Sequence, residues 1–209
     1  MSGMSAPNDA ATWVGELDRL GPLRDLRVDP AFRAARLLVT VGGTPQGQVT
    51  VPLRGGRATI AELRSALITL GSPERVAPAP VASDPVTVVI ATRDRPESLA
   101  RCLRAVLASD HPALSVVVVD NDPDDERTGL AVRAAGSDRV RYVREPRRGA
   151  SVGRNRGLAE ARTEIVAFTD DDTEVDPAWA SRIAGAFAAD PELACVSGPV
   201  LAARLGSPE

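Results

Sequence analysis

The sequence predicts an α/β fold: a mostly parallel sheet with helices on both faces, preceded by a small α+β module. Three observations carry this expectation. From residue 86 onward, short apolar runs alternate with helix-length amphipathic segments, the pattern of βαβ units in a parallel sheet. Residues 71–85 hold four prolines among small side chains, which suits an extended connector. Ahead of them, two β-branched runs flank a glycine-rich stretch, as in a hairpin. The expected division is a module at 1–70, a linker at 71–85 and a second domain at 86–209.

In the first module, residues 36–41 and 48–53 read as strands and 42–47 as the turn between them. Thr59 with Glu62 three residues on is a capping box, in which each side chain takes an orphan backbone N–H. Ile60, Leu63, Leu67 and Leu70 then recur at helical spacing. Nothing in this module forms a catalytic constellation.

In the second domain, residues 86–91 are a buried strand by their continuous apolar run. Pro96 opens a helix whose Leu99, Cys102, Leu103, Val106 and Leu107 share one face. Residues 114–119 are the second strand, 124–135 a weaker helix and 140–143 the third strand. A helix follows at 151–161 and a fourth strand at 165–168. Asp176 and Pro177 fit an N-cap with proline at the first helical position. Trp179, Ile183 and Phe187 line the inner face of that last helix.

Composition narrows the function. The chain has 209 residues with 25 basic and 28 acidic side chains, a net charge of -3, and every basic residue is arginine. A negative balance and 3% aromatics argue against a nucleic-acid binder, which needs a basic footprint or stacking platforms. Two cysteines are too few for a disulfide scaffold, and no Cys/His spacing suggests zinc. No run reaches the roughly 18 apolar residues of a membrane span, and the start lacks the regions of a signal peptide. A cytoplasmic protein is expected. Charge also divides unevenly: residues 1–84 carry nine arginines against eight acids, residues 85–209 sixteen against twenty.

Ligands of open α/β sheets sit beyond the carboxyl ends of the strands, and the polar residues gather there. The first strand ends in Thr92, Arg93, Asp94 and Arg95, the second in Asp120, Asn121 and Asp122, the fourth in Thr169, Asp170, Asp171 and Asp172. The third strand runs into a basic stretch: Arg139, Arg141, Arg144, Arg147, Arg148, Arg154 and Arg156. Three adjacent carboxylates repel one another unless a cation or solvent separates them. Mg2+ or Mn2+ takes one or two protein carboxylates and fills other positions from substrate phosphates. Arginines grip the same phosphates through charge-assisted hydrogen bonds. This combination is the chemistry of a nucleotide diphosphate site; the plainer reading is a cluster of turn and cap residues on a solvated loop. The turn after the first strand lacks glycine, so the dinucleotide fingerprint is missing, and no P-loop is present. Residues 120–124 mimic the start of a calcium loop, but Asp125 and Ala131 break its pattern. His111 reads as a surface turn residue, and Cys102 and Cys195 as packing residues in apolar segments.

Residues 85–204 resemble the nucleotide-binding half of family 2 glycosyltransferases, which have the Rossmann-like GT-A fold. The series is VVIATRDRPE (88–97), VVVDND (117–122), GRNRG (153–157) and FTDDD (168–172). The resemblance implies inverting transfer of a sugar from a nucleotide-diphosphate sugar, with Mg2+ or Mn2+ as cofactor. It implies that Ala91 and Thr92 sit against the base and that Asn121, beside Asp120, contacts base or ribose. Arg95, Arg154 and Asp171 belong to the same donor site. Asp170 and Asp172 are the ends of the Asp-x-Asp motif, with Asp172 the direct metal ligand. Arg93 stands where an aromatic is commoner. The family's general base comes from a later segment, and only residues 173–209 follow Asp172. The expectation is therefore donor binding with weak or no transfer by this chain alone, for an acceptor the sequence does not name.

Two other readings remain. One is a catalytically incomplete nucleotide-sugar-binding fragment. The other is a haloacid-dehalogenase-type phosphatase, whose D-x-D-x-T pattern Asp170 to Thr173 approaches with the threonine one position early.

Overall fold

The computed structural model describes residues 11–72 and 82–201. They fall into two compact units, 11–72 with 198–201 and 82–197. Most of the expected linker, residues 73–81, lies outside the described residues, as does the segment after residue 201. Residues 198–201 group with the first unit, whereas the sequence assigned them to the second. Val200 and Leu201 border a groove whose other wall includes Val14, Arg36 and Leu38.

The first unit contains β1 (Thr12–Asp18), β2 (Leu26–Arg27), β3 (Ala34–Val41), β4 (Thr44–Pro52), β5 (Arg57–Ala58) and α1 (Ile60–Ile68). β3 pairs with β1 in parallel and with β4 antiparallel; β2 and β5 form a separate short ribbon. The expected six-residue turn is shorter than the sequence suggested. Gly42 and Gly43 alone make it, at φ 58° and 78°, the doubly positive geometry of a tight hairpin. The rest of the glycine-rich stretch is strand with a bulge, since Val39 pairs with Gly47 and Thr40 with Pro45, leaving Gln46 extra. β1 had no clear signal in the sequence. Its partner β3 lies far along the chain, and Gly15 interrupts the pattern to make room for the Trp13 ring. The α1 capping box forms, with Glu62 N–H donating to Thr59 Oγ1 at 3.3 Å and Thr59 N–H to Glu62 Oε2 at 2.8 Å. Leu63 then buries against Leu37, Val39, Val49 and Val51.

The second unit contains β6 (Val86–Thr92), α2 (Pro96–Leu107), β7 (Leu114–Asn121), α3 (Arg127–Ala134), β8 (Val140–Glu145), α4 (Ala150–Glu160), β9 (Ile165–Asp170) and α5 (Trp179–Ala189). The sheet order is β8-β7-β6-β9, all parallel. Alternate residues of the apolar runs feed two cores. Val86, Val88, Ile90, Val116 and Val118 pack with Leu99, Cys102, Leu103 and Val106 of α2, Val132 of α3, and Ala180 and Ala184 of α5. Val89, Val117, Val119 and Val143 form the opposite face, covered by α4, whose Gly153 and Gly157 lie against Ala91, Val89 and Val119. Each fully buried Val or Leu contributes about 1.5–3 kcal/mol, so both faces had to be covered.

Three local expectations change. The last helix begins at Trp179 rather than Pro177, because Asp176 closes a turn, its Oδ1 accepting from Ala178 N–H at 2.9 Å. That helix buries its small residues Ala180, Ser181, Ala184 and Gly185, with Trp179 and Ile183 flanking and Phe187 outside the core cluster. His111 is buried, not a surface residue; its Nε2 lies 3.0 Å from Asp84 O and its Nδ1 3.5 Å from Ser181 Oγ. Cys102 does pack in the core, but Cys195 is exposed on irregular chain. No helix among the described residues is long and apolar enough to cross a membrane.

Candidate functional site

β6 is followed in sequence by β7 on one side, while β9 returns on its other side. The crevice beyond β6 and β9 is therefore the topological switch point, where such sheets bind ligands. The ends of these two strands carry Thr92, Arg95 and the three aspartates.

The end of β9 separates those aspartates: Asp170 is its last residue, and Asp171 and Asp172 lie in the turn that follows. Asp171 turns inward and is 5% exposed; its Oδ2 accepts from Thr92 Oγ1 at 2.6 Å and its Oδ1 from Arg95 Nη1 at 3.3 Å. Asp170 and Asp172 are exposed. Asp170 accepts from Arg154 Nη2 at 2.7 Å, and Asp172 lies 3.4 Å from Arg95 Nη1. One guanidinium therefore spans Asp171 and Asp172, and a second, from α4, covers Asp170. Below them Cys102 Sγ donates to Asp170 O at 3.4 Å. Burial first, then the nearby aspartates, push its thiol up to about 12, so it stays protonated and acts as packing.

The second strand end is built differently. Asp120 points to the α3 face and is fully buried; Tyr142 O–H donates to its Oδ2 at 2.6 Å and Thr128 adds a side-chain hydrogen bond. Its Oδ1 has no partner among the described residues, and burial raises its pKa. Asp120 thus joins β7, β8 and α3 and does not line the crevice expected for it. Its neighbour Asn121 faces α4. The Asn121 Nδ2 donates to Arg147 O at 2.7 Å and its Oδ1 accepts from Gly149 N–H at 2.8 Å. Both ends of that amide clamp the loop into α4 instead of standing free for a base. Thr92, similarly, is buried with its hydroxyl committed to Asp171. Ala91 is half-buried beneath Gly153.

The basic stretch does not converge as one phosphate grip. Arg139 donates to Leu107 O at 2.9 Å, and Arg141 and Arg156 both pair with Glu160. Arg144 pairs with Glu126 and Arg147 with the buried Glu145. The Arg147 hydrogen bonds hold the Glu145 carboxyl down to about 2. Arg154 is the member of the stretch that meets the aspartates. Composition does not separate it from the others, since the partner of each is set by the fold; the family resemblance is what singled out Arg154.

Arg93 was not assigned a partner from sequence, yet it ties two loops together. Its Nε donates to Asp122 O at 3.1 Å, and its guanidinium lies 3.3 Å from the Asp122 carboxylate and 3.5 Å from that of Asp94. Asp94 and Asp122 adopt φ 54° and 52°, left-handed conformations that aspartate tolerates better than most residues. Gly153 and Gly157 were also unassigned in sequence. Two glycines four apart in a helix, one face bare, were the available signal.

Among the described residues, no three His, Cys, Asp or Glu side chains are grouped to hold a metal ion. The donor set nonetheless fits Mg2+ or Mn2+ of the substrate-assisted kind: two exposed hard carboxylates, Asp170 and Asp172, with the remaining positions left to diphosphate and water.

Residues 87–202 match glycosyl transferase family 2, and the chain belongs to that family. It is 27% identical over 119 residues to a glucosyl-dolichyl phosphate glucuronosyltransferase of Haloferax volcanii, covering 56% of this chain and 38% of that protein. It is 33% identical over 122 residues to the succinoglycan biosynthesis protein ExoM of Rhizobium meliloti, covering 56% and 39%. A mannosyltransferase of Pyrobaculum calidifontis, solved with GDP-mannose and Mn2+, superposes with a TM-score of 0.50 at 29% identity, over 60% of this chain and 38% of that one. The second unit has the Rossmann-like GT-A fold. The chain spans about two fifths of the length of these curated relatives.

Proposed function

We propose that residues 86–197 bind a nucleotide-diphosphate sugar with Mg2+ or Mn2+, as the donor site of an inverting glycosyl transfer to an acceptor. The observation that carries this reading is the meeting of Asp170, Asp171 and Asp172 with Arg95 and Arg154 at the switch point. Asp172 and Asp170 would hold the cation, which supplies charge neutralisation for the departing diphosphate. Arg154 and Arg95 stand close enough to the same carboxylates to reach its oxygens. Asp171, held by Thr92, fixes the turn that presents its two neighbours. Asn121 and Gly153 shape the crevice where a base would lie, and Arg93 replaces an aromatic at its rim.

In such a transfer the acceptor hydroxyl attacks the anomeric carbon as the diphosphate leaves from the opposite face. A carboxylate base takes the hydroxyl proton. Donor binding is the contribution proposed for the described residues, and the base is left unassigned among them. The phosphatase reading loses support: its aspartates belong on a domain's first strand, and here β6 ends in Thr92 while the aspartates follow the edge strand β9. Two unpaired cysteines, one exposed, fit a reducing, cytoplasmic setting.

The test is thermal melting of the chain with UDP-, GDP- and dTDP-sugars, with and without Mn2+. At a ligand concentration 100 times Kd the bound state gains about 2.7 kcal/mol. The expected outcome is a raised, Mn2+-dependent midpoint with one donor class. No shift with any donor would sink the reading.

A further inference from the structure

Resting on that donor-site reading, we infer that Arg95 and Arg154 act as exchangeable counterions, which make cation and diphosphate bind as a coupled pair. These guanidiniums lie against the carboxylates a cation would need. Arg154 lies 2.7 Å from Asp170, and Arg95 lies 3.3 Å from Asp171 and 3.4 Å from Asp172. Three carboxylates against two guanidiniums leave the cluster one negative charge.

A divalent cation arriving alone on Asp170 and Asp172 inverts that balance to one positive charge, strips Arg154 of its partner and leaves Arg95 with Asp171 alone. A nucleoside diphosphate ester arriving alone, with its two negative charges, meets three aspartates. Together they leave the cluster at its starting charge. Each guanidinium passes from a carboxylate to a phosphate oxygen, a partner it grips through equally charge-assisted hydrogen bonds. No bond is made or broken covalently; only ion pairs exchange.

The placement of the pairs suits such an exchange. Arg95, Arg154, Asp170 and Asp172 are all exposed, so each pair is weak enough to be released. Asp171 is different: Thr92 holds its other oxygen, and it remains in place when Arg95 leaves. Thermodynamic linkage then requires that the cation tighten the diphosphate by the same factor as the diphosphate tightens the cation.

Calorimetric titration with Mn2+ alone, with UDP or GDP alone, and with each in the presence of the other tests this, after correction for the Mn2+–nucleotide complex in solution. The expected wild-type result is reciprocal tightening. In Arg154→Gln, Mn2+ alone should bind about two- to fivefold more tightly, the factor one exposed ion pair is worth. The diphosphate should bind more weakly, and the coupling factor should shrink. Arg156→Gln removes the same charge two residues away, from a guanidinium paired with Glu160, and should leave all three quantities unchanged. Equal Mn2+ affinity in wild type and Arg154→Gln, or an undiminished coupling factor, overturns the exchange while leaving the donor site standing. If neither Mn2+ nor either nucleotide binds the wild type, both fall together.

Discussion

Asp171 and Glu145 are acids that the sequence presents among other charges and the fold takes out of solvent. Asp171 lies between two aspartates, and the turn after β9 brings it inward to Thr92 while its neighbours stay out. Glu145 lies within the basic stretch and is 2% exposed. Its carboxylate accepts from Arg147 Nε at 2.8 Å, Arg147 Nη2 at 2.9 Å and Arg147 N–H at 3.0 Å. Those bonds favour the ionised form and lower its pKa to about 2. The folded state therefore binds this proton less readily than the unfolded chain. The stabilisation is complete above pH 4.5 and is lost as pH falls toward about 2. In Glu145→Gln that part of the acid limb should disappear, so wild type and variant converge in stability across this window. Urea midpoints taken between pH 5 and the acid end, on the order of one pH unit apart, would show it; curves that stay parallel throughout contradict it.

At the scale of elements, the distance of α4 from the sheet is set by missing side chains. A Cβ at Gly157 would collide with Val89 and come within 3.3 Å of Val119 Cγ2, and one at Gly153 would lie 3.2 Å from Ala91 Cβ. Alanine is favoured over glycine inside a helix by about 1 kcal/mol, so propensity alone predicts that Gly157→Ala stabilises. Overpacking against β6 and β7 costs about 1–3 kcal/mol and outweighs it. The expected result is a net loss of stability in chemical denaturation, together with weaker donor binding, because Arg154 rides on the same helix. Helices and strands of this unit were legible because their apolar residues keep period 3.6 on α2 and form unbroken runs in β6 and β7. The glycine pair also stood in plain view, but its meaning needed Val89, which lies far along the chain. The same distance hid the burial of His111 against Ser181, and the pairing of β1 with β3.

At the scale of the whole molecule, the two units build their cores from separate sets of residues. Leu37, Val39, Val51 and Leu63 belong to one, and Val88, Ile90, Leu103 and Val118 to the other. The two divide along the same line as the compact units. Every strand end carrying a candidate donor residue belongs to the second unit, so the sequence's concentration of acids and arginines after residue 85 coincides with the proposed donor site. The arginines misled in one respect, for composition shows their number and not which acid each meets. Residue-level hydrogen exchange turns this division into a measurement. A donor with Mn2+ stabilises whatever cooperative unit it binds and leaves an independent unit unchanged. Amides of β6, β7 and β9 should gain protection in proportion to ligand occupancy, while those of β3 and β4 keep their exchange rates. Protection spreading equally into β3 and β4 would show that the two cores open as a single unit, and the donor site would then report on the stability of the entire chain.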